Sequence, residues 1–136
     1  MKELIFGGVR LGSVVGDFGI LILRVFAGLS LAVAHGLAKL PPSPQFMTGV
    51  ESLGFPPQAA WLSTFAETVG GFALAAGLGT RLAAFTIAVN LSVAGFLQHA
   101  NDPYLRKELA FVFLATALMF LFVGAGRFSL DRLIKR

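Results

Sequence analysis

Four apolar stretches separated by polar connections divide the chain. The first covers residues 18–40, and the others cover about residues 59–78, 82–99 and 109–126. A hydrocarbon core about 30 Å thick requires about 20 apolar residues in a helix that rises about 1.5 Å per residue. The pattern therefore predicts an all-α fold, a four-helix antiparallel transmembrane bundle that forms a single domain over residues 1–136.

Residues 41–58 form the longest polar connection, and prolines at its start end the first stretch. Phe46, Val50 and Leu53 follow one another at helical spacing, which predicts a short interfacial helix in this first outer loop. The helix is interpreted as a structural cap, and the alternative is a lid over a pocket. Residues 1–16 are interrupted by glycines and predict an interfacial lead-in.

The composition indicates an integral membrane protein, since 56% of the residues are hydrophobic, 13% are charged and the mean hydropathy is +0.79. A net charge of +4 in a soluble protein would suggest a nucleic-acid partner. Here the basic residues cluster at the ends of apolar stretches, where they set orientation and contact anionic lipid, so no nucleic-acid partner is predicted. The chain has no cysteine, which excludes thiol chemistry and cysteine-ligated iron–sulfur clusters.

Basic residues at the ends of the apolar stretches and in the segments between and beyond them favour one side of the membrane by seven to three. The larger group comprises Lys2, Arg10, Arg81, Arg127, Arg132, Lys135 and Arg136, and the smaller group comprises Lys39, Arg106 and Lys107. Because the inner side keeps the excess, both termini of this multi-pass chain are predicted to lie in the cytoplasm, at the plasma (inner) membrane of a prokaryote. The first stretch is too long for a signal peptide and has Arg24 within it, which favours an uncleaved span.

Two charged residues within the apolar stretches need a partner or water, namely Arg24 in the first and Glu67 in the second. Residue counting places both at depths where their side chains could meet, so an Arg24–Glu67 ion pair is predicted. It would either fix helix register or serve as a proton path or a grip on a ligand headgroup. Each lies in an i, i+4 row of small residues, which favours close helix packing. These rows are Arg24, Gly28, Ala32, Gly36 and Ser63, Glu67, Gly71, Ala75, Gly79.

His35 and His99 are both predicted near the outer boundary of the membrane, with Gln98 beside the second. They could hydrogen-bond at headgroup level, protonate a bound quinone oxygen or ligate a metal. Two histidines are too few for a usual zinc site, so no metal site is predicted. Asn90 shares a face of the third stretch with Gln98, while other polar residues lie opposite, which predicts a central helix with neighbours on both sides.

Several motifs together resemble the DoxX family of small four-helix membrane proteins, over about residues 18–134. They are Leu23-Arg24, His35-Gly36-x-x-Lys39, Glu67 with Gly70-Gly71, and Gly-x-Gly-Arg-x-Ser-Leu-Asp at residues 124–131. Members are usually labelled membrane oxidoreductases, and the family name comes from a subunit of thiosulfate:quinone oxidoreductase or quinol oxidase. The resemblance implies a quinone-linked role and carries over four positions as site candidates: Arg24, His35, Lys39 and Glu67.

The leading hypothesis is a membrane component of a quinone-linked oxidoreductase, with quinone as the suspected cofactor. Candidate catalytic residues are Glu67, Arg24 and His35. Candidate cofactor-binding residues are His35, Lys39, Gln98, His99 and Asn90. The alternatives are a structural or assembly subunit whose small-residue rows dock other membrane helices, and a conduit for protons or small molecules. Membrane lipid, other membrane or redox subunits and a second copy of the chain are the expected partners.

Overall fold

Every regular element in the described part of the chain is helical, which confirms the predicted all-α class. The computed structural model describes residue 8 and residues 12–135, so the predicted lead-in lies mostly outside the described residues. The helices are α1 Val14–Leu29, α2 Pro44–Ser52, α3 Ala59–Ala76, α4 Thr80–Val93, α5 Tyr104–Val123 and α6 Leu130–Lys135. A π-helical segment, Ser30–Gly36, and a 3-10 turn, Leu37–Lys39, prolong α1, and a second π-helical segment, Ala94–Gln98, prolongs α4.

Two of these helical segments are long and apolar enough to cross a membrane by length and composition. They are Val14–Lys39, with a mean hydropathy of 2.0, and Thr80–Gln98, with 1.5. The long helix α3 carries Glu67 near its middle, and α5 begins with the charged run at residues 106–108. Four long helices thus lie where the apolar stretches predict them, while their joint crossing of a membrane stays a prediction.

The long helices pack in the order α1, α3, α4 and α5, so that α4 contacts both α3 and α5. This arrangement agrees with the polar residues found on two faces of α4. The buried apolar core is formed mainly by α4 and α5, with further members from α3 and from α1 and its π-helical extension. Its members are Ile20, Leu31, Leu74, Ala84, Ile87, Ala88, Leu91, Leu114, Ala117 and Phe120.

The two rows of small residues face each other between α1 and α3. A Cβ atom on Gly28 would lie 2.6 Å from the backbone nitrogen of Ala75 and 2.6 Å from the carbonyl oxygen of Gly71. Further along, Gly36 is in close contact with Thr68. The prediction of close packing is confirmed, and these contacts fix how far α1 and α3 are shifted along each other.

We expect Gly28→Ala to lower the free energy of unfolding by about 1–3 kcal/mol, because the added methyl group collides with the backbone of α3. Gly19→Ala is the matched control on the same helix, since a Cβ there meets nothing within 4 Å. It should be neutral or slightly stabilising. Unfolding of the two variants in detergent, followed by circular dichroism, measures the difference; equal stabilities would show that the interface is looser than described.

Candidate functional site

Glu67 is the centre of a buried polar cluster. Its residue is 3% exposed, and both carboxylate oxygens accept hydrogen bonds from Lys39, whose Nζ lies 2.8 Å from Oε1 and 2.7 Å from Oε2. Asn90 Nδ2 donates a third hydrogen bond to Oε1, at 3.0 Å. The carboxylate is therefore held by a cation and an amide from two different parts of the chain.

Three separate elements bring this cluster together. Glu67 projects from α3, Asn90 from α4, and Lys39 from the 3-10 turn that follows the first π-helical segment. π-helical segments are often found at functional sites, because the wider turn redirects the residues that follow. Phe46 of α2 covers the ammonium group, with Lys39 Nζ 5.4 Å from the ring centroid. The short helix α2 thus packs over the cluster from the connection between α1 and α3.

The cluster lies near the middle of an open cavity of about 810 Å³ between α2, α3 and α4. Lys39, Glu67, Asn90 and Gln98 supply polar groups to the half of the cavity from this cluster to Gln98, which we call the polar end; apolar residues such as Phe46 and Leu62 also line that half. The remaining walls are almost entirely apolar, and they extend along α3 and α4 as far as the turn at Leu78 and Gly79. A few polar groups in one half of an elongated apolar cavity suit an amphiphilic ligand with a small polar head.

The predicted ion pair between Arg24 and Glu67 is wrong, because Glu67 pairs with Lys39 instead. The contacts of Gly28 and Gly36 fix the position of α1 and its extension along the axis of α3, and they place Thr68 beside Gly36. Arg24 precedes Lys39 by about four helical turns, roughly 20 Å along α1. Counting residues from the predicted span ends therefore placed Glu67 too deep, and the small-residue contacts were the signal that could have corrected its depth.

Arg24 lies in the interior of α1, far from Lys39, and the residue is 1% exposed. Its Nη2 atom donates a hydrogen bond of 2.6 Å to the carbonyl oxygen of Phe128. The guanidinium also lies against Gly77, whose φ of +70° and lack of a side chain leave room for it. The structure therefore does not bring this candidate catalytic residue to the cavity.

Asp131 completes this second polar cluster, which we call the inner clamp: Arg24, Gly77, Gly79, Thr80 and Asp131. The Asp131 carboxylate accepts hydrogen bonds from the backbone nitrogens of Gly79, at 2.6 Å, and Thr80, at 2.9 Å. Its own backbone nitrogen donates to the carbonyl of Gly77, at 2.8 Å. The carboxylate also attracts the Arg24 guanidinium. The motif at residues 124–131 thus fastens the end of the chain to α1 and to the turn between α3 and α4.

The two histidines contact different partners. The His35 ring packs edge-on against Phe113, with centroids 5.8 Å apart. His99 Nδ1 lies 2.7 Å from an Asp102 carboxylate oxygen, and this hydrogen bond lowers the pKa of the Asp102 carboxyl. Neither histidine lines the cavity. Within the described ranges, no group of three or more His, Asp or Glu side chains is arranged to hold a metal ion.

Comparison with known proteins identifies the family of the chain. The model of the family described as DoxX matches residues 19–100. The chain belongs to the DoxX family. A Bacillus subtilis protein described as "Putative oxidoreductase CatD" is 28% identical over 116 residues, covering 85% of this chain and 86% of that protein. An uncharacterized Haemophilus influenzae protein is 34% identical over 106 residues, covering 73% and 78%. No solved structure matches the chain.

The DoxX match contains the polar groups of the polar end, namely Lys39, Glu67, Asn90 and Gln98. It also contains Arg24, Gly77, Gly79 and Thr80 but stops before Asp131, so the family model covers the inner clamp except for its carboxylate. Membership of the DoxX family, together with the two apolar helical segments, indicates a membrane protein.

Proposed function

We propose that this DoxX protein binds a membrane quinone and serves as the membrane component of a quinone-linked oxidoreductase. The observation that carries the proposal is the apolar cavity with a buried carboxylate held by Lys39 and Asn90. The relative described as an oxidoreductase supports the redox part of the role.

The polar end offers the groups that both redox forms of such a ligand require. The carbonyl oxygens of a quinone accept hydrogen bonds, which the Lys39 ammonium and the Asn90 and Gln98 amides can donate. The hydroxyl groups of a quinol donate hydrogen bonds, which the Glu67 carboxylate can accept. The surrounding walls exclude water and receive the apolar part of the molecule.

In the proposed arrangement, the four long helices cross the inner membrane of a prokaryote with both termini in the cytoplasm. The excess of basic residues beside the inner clamp supports this orientation. Trp61 and Tyr104, single aromatic anchors of their type, then lie at the outer interface. The Glu67 cluster is thereby nearer the outer surface, where quinone could exchange with the lipid or with another redox subunit.

The test is titration of decylubiquinone into the protein in lipid nanodiscs. We expect Glu67→Gln and Asn90→Ala each to weaken binding about tenfold, because each variant removes or disturbs hydrogen bonds at the polar end. Asp102→Asn is the matched control, since Asp102 pairs with His99 and does not line the cavity. Unchanged affinity in both cavity variants, or no binding by the natural chain, would refute the proposal.

The structure gives less support to the alternatives. An assembly subunit would need free rows of small residues, but Gly28, Gly36 and Gly71 are used for packing α1 against α3. A conduit from His35 to Arg24 would need a passage lined by both residues, and the cavity beside Glu67 is lined by neither. Binding of an amphiphilic redox ligand uses the observed cavity directly.

A further inference from the structure

We infer that the apolar limb of the cavity is a subsite for the isoprenoid tail of one quinone, held extended along α3 and α4. The inference rests on the proposed function, and it adds that the protein recognises the tail of the quinone as well as its ring. The apolar limb is the part of the cavity between Glu67 and Gly79, and its main wall residues are Val69, Gly70 and Ala73 on α3, and Leu82, Phe85 and Val89 on α4. Thr86 also lines it, and its hydroxyl group donates to the carbonyl oxygen of Ala83.

The dimensions of the apolar limb suit a single chain. Glu67 and Gly79 are about three turns apart on α3, roughly 18 Å. Gly70 and Ala73 make the limb deeper at its floor, since neither has a large side chain. Larger residues form the rim and are half exposed, with Val69 at 60% and Phe85 at 53%. A tail in this limb would contact protein on one side and the surrounding lipid on the other.

The charge of the polar end selects a neutral head. Lys39 and Glu67 cancel one another, and Asn90 and Gln98 are uncharged. The phosphate of a phospholipid would approach the buried Glu67 carboxylate, and the single lysine beside it is already paired. A neutral quinone ring with one apolar tail therefore fits both ends of the cavity, while an anionic lipid fits only the apolar limb.

The experiment compares quinones that share one ring and differ only in the number of isoprene units. Binding is measured in nanodiscs, with concentration expressed as mole fraction in the lipid so that partitioning is removed. We expect affinity to increase about tenfold or more from the tailless quinone to one that fills the apolar limb, and then to level off, because further units extend beyond Gly79. Equal affinity for all tails would overturn the inference while leaving quinone binding itself established; binding of no quinone would refute the proposed function.

Ala73→Phe fills the middle of the apolar limb and should abolish the gain from the tail while the tailless quinone still binds. Ala115→Phe, at an exposed position of α5 away from the cavity, is the matched control and should keep the gain. Val89→Trp narrows the opposite wall at a half-exposed position and provides a second variant if Ala73→Phe does not fold. If the affinity still increased with tail length in the folded wall variants, the inference would be overturned. It would also be overturned if native mass spectrometry showed that quinone binds without displacing a bound phospholipid.

Discussion

Replacement of Asp131 by alanine is expected to lower the free energy of unfolding by about 3–5 kcal/mol, although Asp131 lies in the last short helix. The substitution removes the acceptor for the backbone nitrogens of Gly79 and Thr80. It also leaves Arg24, which is 1% exposed, without the carboxylate that attracts it. An unbalanced buried charge is more costly than the loss of an ordinary hydrogen bond.

Unfolding in a mild detergent titrated with a denaturing one measures this effect. Glu108→Ala is the control, because Glu108 is an exposed acid on α5 and should change stability by less than about 0.5 kcal/mol. The double variant Arg24→Met, Asp131→Ala should lose less than the sum of the two single variants, because the two charges interact. A small effect of Asp131→Ala, or full additivity, would show that the inner clamp is not an electrostatic unit.

Lys39→Met is expected to cost about 2–3 kcal/mol, because Glu67 then keeps only the hydrogen bond from Asn90. The effect should be smaller than that at Asp131, since the Lys39 side chain is 34% exposed and part of its interaction is screened. Methionine retains much of the apolar stem that lies beside Phe46. The variant therefore reports on the charge rather than on packing.

Thermal unfolding of the Lys39→Met variant in detergent gives the measurement. Adding Glu67→Gln should recover part of the loss, because the neutral amide no longer needs a cation. Arg106→Met serves as the matched control, since that side chain is 74% exposed and lies 3.9 Å from Asp102. If Lys39→Met were as mild as this control, or the second substitution gave no recovery, the Lys39–Glu67 pair would not be the main support of the carboxylate.

The structure has two separate charged clusters, whereas residue spacing alone predicted a single one that contained both Arg24 and Glu67. Arg24 and Glu67 are both charged residues within apolar stretches and on small-residue faces, and a pair between them was the simplest way to balance their charges. In the structure Glu67 pairs with Lys39, whereas Arg24, about 20 Å away along the same helical segment, donates to the carbonyl oxygen of Phe128 and is attracted by Asp131. Balance of each buried charge was a sound expectation, but the choice of partner depended on helix register.

The sequence by itself determined the helical class, the four long helices, the short helix that contains Phe46, and the small-residue interface between α1 and α3. Each of these features depends on local periodicity or on side-chain size. It also supplied Lys39, Glu67, Asn90 and Gln98 as separate candidates. Only the tertiary structure decided that these four line one cavity, and that Arg24, His35 and His99 lie outside it. The physical reason is that the shift between helices is set by contacts such as Gly28 against Ala75, which join residues far apart in the chain.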